Sequence, residues 1–260
     1  MDGVVHRTRR RKSVSTRARP GEIAVHPAFA VTVDIVVFRV VDGALEVLLV
    51  QRGRAPYAGR WALPGGFKDP HETLDAAARR ELAEETQVRS IAGLAQFKSY
   101  GDPGRDPRMD VVTVAYLAGA PPRTVPKSGD DAAAAAFFPV RDVLTGTLGL
   151  AFDHRQIVTD AVEQLRCTIE ISNLATRFVR SPFTLAQLRR VYEAIWGVRL
   201  DVAKFRRKLL SAQRWLEPTG RVRARDAGGR KPAQLYRCGR RWREDGPIGL
   251  KAIRHVSTMD

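Results

Sequence analysis

Between Gly65 and Val88 the chain reads GGFKDPHETLDAAARRELAEETQV, and this stretch restricts the fold more than any other. Thr73 is a good N-cap with Asp75 in the turn after it, and Leu74, Ala78 and Leu82 recur at i, i+4 and i+8. A helix that buries this stripe is predicted to follow Thr73. Glu81, Glu84 and Glu85 then share another face, where like charges repel by about 0.2–0.5 kcal/mol per pair, so an isolated helix gains nothing from them. Clustered carboxylates without Cys or His suit a hard cation such as Mg2+ or Mn2+, which would in turn hold phosphate oxygens. A solvated acidic face is the other reading. Gly65 and Gly66 favour the cation, because they let backbone approach a phosphate closely just ahead of the helix.

Strand-like runs surround this helix: FAVTVDIVVFRV from Phe29, EVLLVQR after the turn VDGAL, VVTVAYLA from Val111 and AAFFPV from Ala135. The segment DHRQIVTDAVEQLRCTIEI sets Ile157, Val162, Leu165 and Ile169 near helical spacing, a second core-facing helix that closes an α/β domain. Net charge divides the chain more sharply than hydropathy does. It is +6 over residues 1–20, −4 over 21–176 and +14 over 177–260. Residues 1–27 read as a flexible basic arm, 28–176 as the α/β domain with its closing helix, 177–250 as a basic domain and 251–260 as a tail. No apolar run reaches the ~18 residues that cross a bilayer, and the Arg-rich start lacks the apolar core of a secretory signal, so a cytoplasmic chain with no membrane partner is expected. Cys167 and Cys238 have no metal-ligand spacing and read as reduced structural thiols.

Gly66, Glu72, Arg80, Glu81, Leu82, Glu84, Glu85 and Val88 match, residue by residue, the pattern of the Nudix box, and the chain resembles that family over about residues 28–150. The resemblance implies an α/β/α sandwich, Glu81, Glu84 and Glu85 as metal ligands, and Arg80 bracing them. In an active member Arg80 and Glu84 would serve catalysis, the metal activating water against a diphosphate. The departure is Gln87, where the family has a glycine in the left-handed conformation that ends the helix. Glutamine there costs roughly 1 kcal/mol or shifts the helix end. The turn GDPGRDPR brings Arg105, Asp106 and Arg108 ahead of a strand, either as phosphate and ribose ligands or as an internal Arg–Asp pair. Together with QRGRAPYAGRWALPGGF it resembles the ADP-ribose branch of Nudix proteins, which implies a ligand role and adds Arg54 and Arg60.

In the basic domain, Thr184 and Gln187 form a capping box, Leu185, Leu188, Tyr192 and Ile195 make a stripe, and the helix stops at Gly197. Asp201 caps a second helix with Val202, Phe205 and Leu209 facing inward and Lys204, Arg206, Arg207 and Lys208 outward. Strand-like pieces after Trp215 and before Cys238 then form a hairpin wing with Arg230 and Lys231 near its tip, completing an α+β winged helix-turn-helix. FTLAQLRRVYEAIWG, FRRKLL and GRKPAQLYR are similar to the C-terminal module of the Nudix-related transcriptional regulators (NrtR), so the resemblance extends over about 28–240. It implies a homodimeric repressor of NAD biosynthesis or salvage genes that binds double-stranded operator DNA and takes ADP-ribose, or a related NAD-derived nucleotide, as effector. An active ADP-ribose pyrophosphatase with a nucleic-acid tether is the alternative, and a Nudix hydrolase acting on RNA ends a third. Gln87 and the winged helix favour the sensor, without significant turnover.

Overall fold

The computed structural model describes residues 28–129, 132–211, 215–223, 232–239 and 254–258. The basic arm and the wing-tip residues Arg230 and Lys231 lie outside them. β1 (Ala30–Val41) and β2 (Ala44–Arg52) form a hairpin whose turn puts Asp42 and Gly43 at φ 49° and 81°, the primed geometry that matches strand twist. β1 also pairs in parallel with β6 (Val111–Gly119), which in turn pairs with β5 (Ala92–Tyr100). Short β3 (Trp61–Ala62) and β7 (Ala132–Pro139) both pair with β2, and β4 (Gly65–Phe67) pairs with β1. This makes one mixed sheet of seven strands.

β1 is almost uniformly apolar because both faces of the sheet are covered. Val33, Ile35 and Val37 pack with Ala77, Ala78 and Leu82 of α1 (Leu74–Thr86) on one side. Val36, Phe38 and Val40 meet Ile157, Val162 and Leu165 of α3 (His154–Ile171) on the other. The expected α/β/α sandwich is present. The buried face of α1 is wider than predicted: Ala77 and Thr86 belong to it, and Leu74 is only partly buried. β5 was not predicted, since its face pattern is weak. The alanine run at 132–136 is strand β7, while Val140, expected to end that strand, begins the short helix α2 (Val140–Leu144).

The basic domain is not a separate bead. Leu188 and Tyr192 of α4 (Leu185–Trp196), Phe205 of α5 (Val202–Ser211) and Tyr236 of β10 (Ala233–Cys238) belong to the same apolar cluster as Phe38 and Ile157. A 3-10 helix over Asn173–Phe178 leads into it. α3 and α4 are cross-tied: Arg166 Nε donates to the Ile195 carbonyl (2.9 Å), Trp196 Nε1 to that of Arg166 (3.3 Å) and the Tyr192 hydroxyl to that of Ile169 (3.2 Å). The capping box of Thr184 and Gln187 is formed, Gly197 ends α4 in the left-handed region, and Asp201 Oδ1 accepts from Lys204 N (2.7 Å) at the start of α5. β9 (Leu216–Arg223) and β10 make the wing. Two predictions are corrected. Val202 is 63% exposed, not inward-facing. Arg254–Thr258, expected within a tail, forms β11 and pairs with β8 (Val198–Leu200), adding a strand between the two helices.

Candidate functional site

β4 lies against the first half of β1, placing Gly65 opposite Asp34 and Gly66 opposite Val33. The glycines are needed for close approach: a Cβ on Gly65 would sit 2.1 Å from the Val33 carbonyl oxygen, and one on Gly66 2.5 Å from Glu81 Oε1. The Gly65 N–H is therefore not open to a phosphate; it donates to Glu85 Oε2 (2.9 Å).

On α1, Arg80 gathers the carboxylates. Its Nη2 donates to Glu72 (2.7 Å) and to the Phe67 carbonyl (3.1 Å), its Nη1 to Glu81 (2.9 Å) and Glu84 (3.1 Å). The bond from Arg80 holds Glu72 below the usual carboxylate range, and the same pairings raise Arg80. Burial raises Glu81 and pushes Glu85 up to about 8, its bond from Gly65 notwithstanding. Among the described residues no three carboxylates already converge as a ligand set, because Glu81 and Glu84 turn to Arg80 and Glu85 to Gly65. The donor chemistry nevertheless fits a hard divalent cation: oxygen only, with Glu85 partly desolvated and adjacent to a second carboxylate.

Gln87 adopts the left-handed conformation itself (φ 56°, ψ 11°), and its N–H bonds the Ala83 carbonyl. The helix end is not displaced. Lys127 N and Gly129 N cap the Thr86 and Glu85 carbonyls (2.9 and 3.0 Å), and a Cβ on Gly129 would sit 1.6 Å from the Glu84 oxygen. That clamp holds the last turn where a glycine would have held it, at a strain of roughly 1 kcal/mol.

Beside α1 is a cavity of about 240 Å³ whose wall brings together Arg54, Gly65, Gly66, Arg105, Asp106 and Arg108 of the expected ligand residues, with Glu85 of the expected metal ligands. Glu81, Glu84 and Arg60 are not in this wall; Arg60 Nη1 would lie 3.3 Å from a Cβ on Gly149. Both loop arginines are occupied. Arg105 holds Asp153 through Nε and Nη2 (2.9 and 2.8 Å) and reaches Asp34 at 3.4 Å. Arg108 forks onto the buried Asp106 (2.7 and 3.0 Å), and that bond helps hold Asp106 low although burial opposes it. The internal Arg–Asp reading of this loop is thus what the geometry shows, with Arg108 still lining the cavity.

Sequence reasoning missed Asp34, Arg52, Phe67, Phe152 and His154. Asp34 carried a signal, a lone charge in an apolar strand. His154 accepts from Leu63 N–H through Nδ1 (2.8 Å), which leaves the proton on Nε2, 3.4 Å from Asp34 Oδ1; burial lowers its pKa. Arg52 donates to the Pro56 carbonyl (2.7 Å) and meets no carboxylate at ion-pair distance among the described residues; burial and the neighbouring Arg108 lower its pKa. A half-buried guanidinium with no carboxylate at ion-pair distance among the described residues suits an anion. Phe152 (φ 52°) packs edge-on to Tyr57 (4.9 Å) and carries Arg52 over its ring at 4.8 Å.

In the winged helix, α5 exposes Lys204, Arg206 and Arg207, with Lys208 half-buried and Phe205 and Leu209 turned into the core. Arg221 and Arg223 of β9, not singled out in the sequence, are exposed beside the wing.

Residues 29–161 match the NUDIX domain family, and residues 177–238 match the NrtR DNA-binding winged helix domain family. The ADPR responsive transcriptional repressor NtrR of Acinetobacter baylyi is 34% identical over 214 residues, covering 82% of this chain and 83% of that protein. An ADP-ribose pyrophosphatase of Methanocaldococcus jannaschii is 36% identical over 144 residues, 52% of this chain and 73% of its own length. The crystal structure of Shewanella oneidensis NrtR complexed with a 27mer DNA aligns with a TM-score of 0.67 at 33% identity, over 88% of this chain and 99% of that one. With a Nudix cavity and a basic winged helix on one continuous core, the chain belongs to the NrtR family of Nudix-related transcriptional regulators.

Proposed function

We propose that this protein is a transcriptional repressor of NAD biosynthesis or salvage genes, binding operator DNA through its winged helix and sensing ADP-ribose, or a related NAD-derived nucleotide, in the Nudix cavity. The observation that carries the reading is the continuity of the two halves. α3 starts with His154 in the cavity wall and ends bonded to α4 of the winged helix, so a ligand that moves one end has a rigid path to the other. Arg52 offers the phosphates a charge that no carboxylate among the described residues claims at ion-pair distance, and Phe67 and Phe152 offer apolar faces. Glu81, Glu84 and Glu85 would hold Mg2+ or Mn2+, and the ion would supply charge neutralisation for a diphosphate. Two winged helices in a homodimer would meet half-sites about one helical turn apart. A gel shift on the protein's own upstream region, with and without ADP-ribose, tests this: retarded DNA released by ADP-ribose is the expected result, and DNA binding indifferent to it defeats the sensor.

The reading as an ADP-ribose pyrophosphatase keeps two observations in its favour. Gln87 leaves the end of α1 in place, and every charged position of the Nudix box is present. A sensor should not destroy its signal, and we take turnover to be absent or slow. Product assays for AMP and ribose 5-phosphate decide between them.

A further inference from the structure

Resting on that DNA-binding reading, we propose that Val202 reads thymine, its side chain meeting the C5-methyl group in the major groove.

The argument starts from a misplaced apolar residue. Helical spacing puts Val202 near Phe205 and Leu209, both 1% exposed, and on that pattern it belongs to the core. It is instead 63% exposed, because it is the first residue of α5, directly after the cap Asp201, and the core ends one turn later at Phe205. Ala203 beside it is also exposed. The exposed surface around it is cationic: Lys204, Arg206 and Arg207 flank the valine, Leu210 is exposed only at the far end of the helix, and α5 contains no acidic residue. With Leu185, Phe205 and Tyr236 the valine borders an open cavity between α4, α5 and β10, and most of its own surface still faces solvent.

The charge around it selects the partner. A polyanion drawn in by Lys204, Arg206 and Arg207 brings the N-terminal end of α5 toward the groove, and the first residues of a recognition helix are those that reach base edges. Of the four bases only thymine presents a methyl group there. The neighbouring cations find phosphates and base acceptors on any sequence, so the valine adds discrimination that the charges do not. Each methyl taken out of water contributes about fourfold in affinity, and a dimer uses the contact twice.

The test takes the full-length protein and a duplex that it selects from a randomised pool, prepared with thymine and again with uracil at every thymine position, a change that removes only the methyl groups. The parent should bind the uracil duplex about fourfold more weakly per half-site. Val202→Ser should bind both duplexes alike and Val202→Ile should keep the preference, all three with the same dependence on salt. Because Val202 is exposed, the variants should melt together. Equal affinity of the parent for both duplexes overturns the proposal, as does a Val202→Ser variant that discriminates as well as the parent. Enrichment of no duplex at all would count instead against the DNA-binding reading.

Discussion

Arg105 grips Asp153 with two bonds, 2.9 Å from Nε and 2.8 Å from Nη2, and so ties the loop that lines the Nudix cavity to the residue just before α3. The other end of α3 holds α4 through Arg166, Tyr192 and Trp196. A nucleotide phosphate that competes for Arg105 would release Asp153 and free the helix that carries the winged helix. ADP-ribose should then weaken operator binding by about 5- to 150-fold, and the effect should shrink toward unity in Arg105→Ala. Arg105→Ala leaves Asp153 without this partner, so Asp153→Asn is the gentler companion. Titrations of DNA with and without saturating ADP-ribose read it out; full coupling in both variants would remove Arg105 from the path.

Arg52 and Arg60 should separate cleanly. Arg52→Ala, which deletes a charge in the cavity wall that has no carboxylate at ion-pair distance among the described residues, should weaken ADP-ribose binding at least about tenfold, in the range of a charged hydrogen bond. Arg60→Ala should leave it within about twofold, because Arg60 stands beside Gly149 outside the wall. Calorimetry on both variants decides, and equal losses would mean that the cavity extends beyond its present wall.

Metal binding should depend on pH through Glu85. With its pKa near 8 the carboxyl is protonated at neutral pH and a cation has to expel the proton, so Mn2+ affinity should climb as pH rises from 6 to 8 and level off above. Glu85→Gln should bind weakly and without that slope. The metal-free protein gives the complementary sign: a carboxyl raised from 4.5 to about 8 on folding stabilises the fold at low pH and loses that contribution as pH rises through this interval. The melting temperature of the parent relative to Glu85→Gln should therefore drop between pH 5 and 8. A Glu81, Glu84, Glu85 triple-Gln variant that binds metal as well as the parent would falsify the ligand assignment.

Gln87→Gly should change stability more than chemistry. The residue already has the left-handed backbone, so glycine relieves strain worth up to about 1 kcal/mol without moving α1. Thermal melting should shift upward by a few degrees at most, while ADP-ribose turnover stays far below the ~10 per second of an ordinary enzyme. A variant that reaches that rate would show that the helix end alone had kept the site silent.

DNA affinity should be strongly salt-dependent. A dimer that neutralises about six to ten phosphates gives a log–log slope near −5 to −9. Arg206→Ala with Arg207→Ala removes two exposed cations from each α5 and should reduce the slope by about four; the half-buried Lys208 should matter less. An unchanged slope would move the DNA away from α5.

What the sequence determined by itself was whatever depends on neighbours in the chain. The cap at Thr73, the glutamate spacing on α1, the box of Thr184 and Gln187, and the stripe of Ile157, Val162, Leu165 and Ile169 all link residues no more than five positions from the next, and each is present. The family followed from the same local patterns. Tertiary structure decided which charges remain available. Asp106 and Arg108 are two residues apart, but Arg105 finds its partners 48 and 71 positions away, and no spacing rule links it to Asp153 or Asp34. It also decided that Gln87 keeps the helix end, since the clamp comes from Gly129 across a loop, and that Val202 points to solvent, since the core it was patterned for ends one turn further on. Local sequence sets backbone conformation, because propensity and capping act within a turn or two. The availability of a charge depends on desolvation and on long-range pairing, which exist only once distant segments have met.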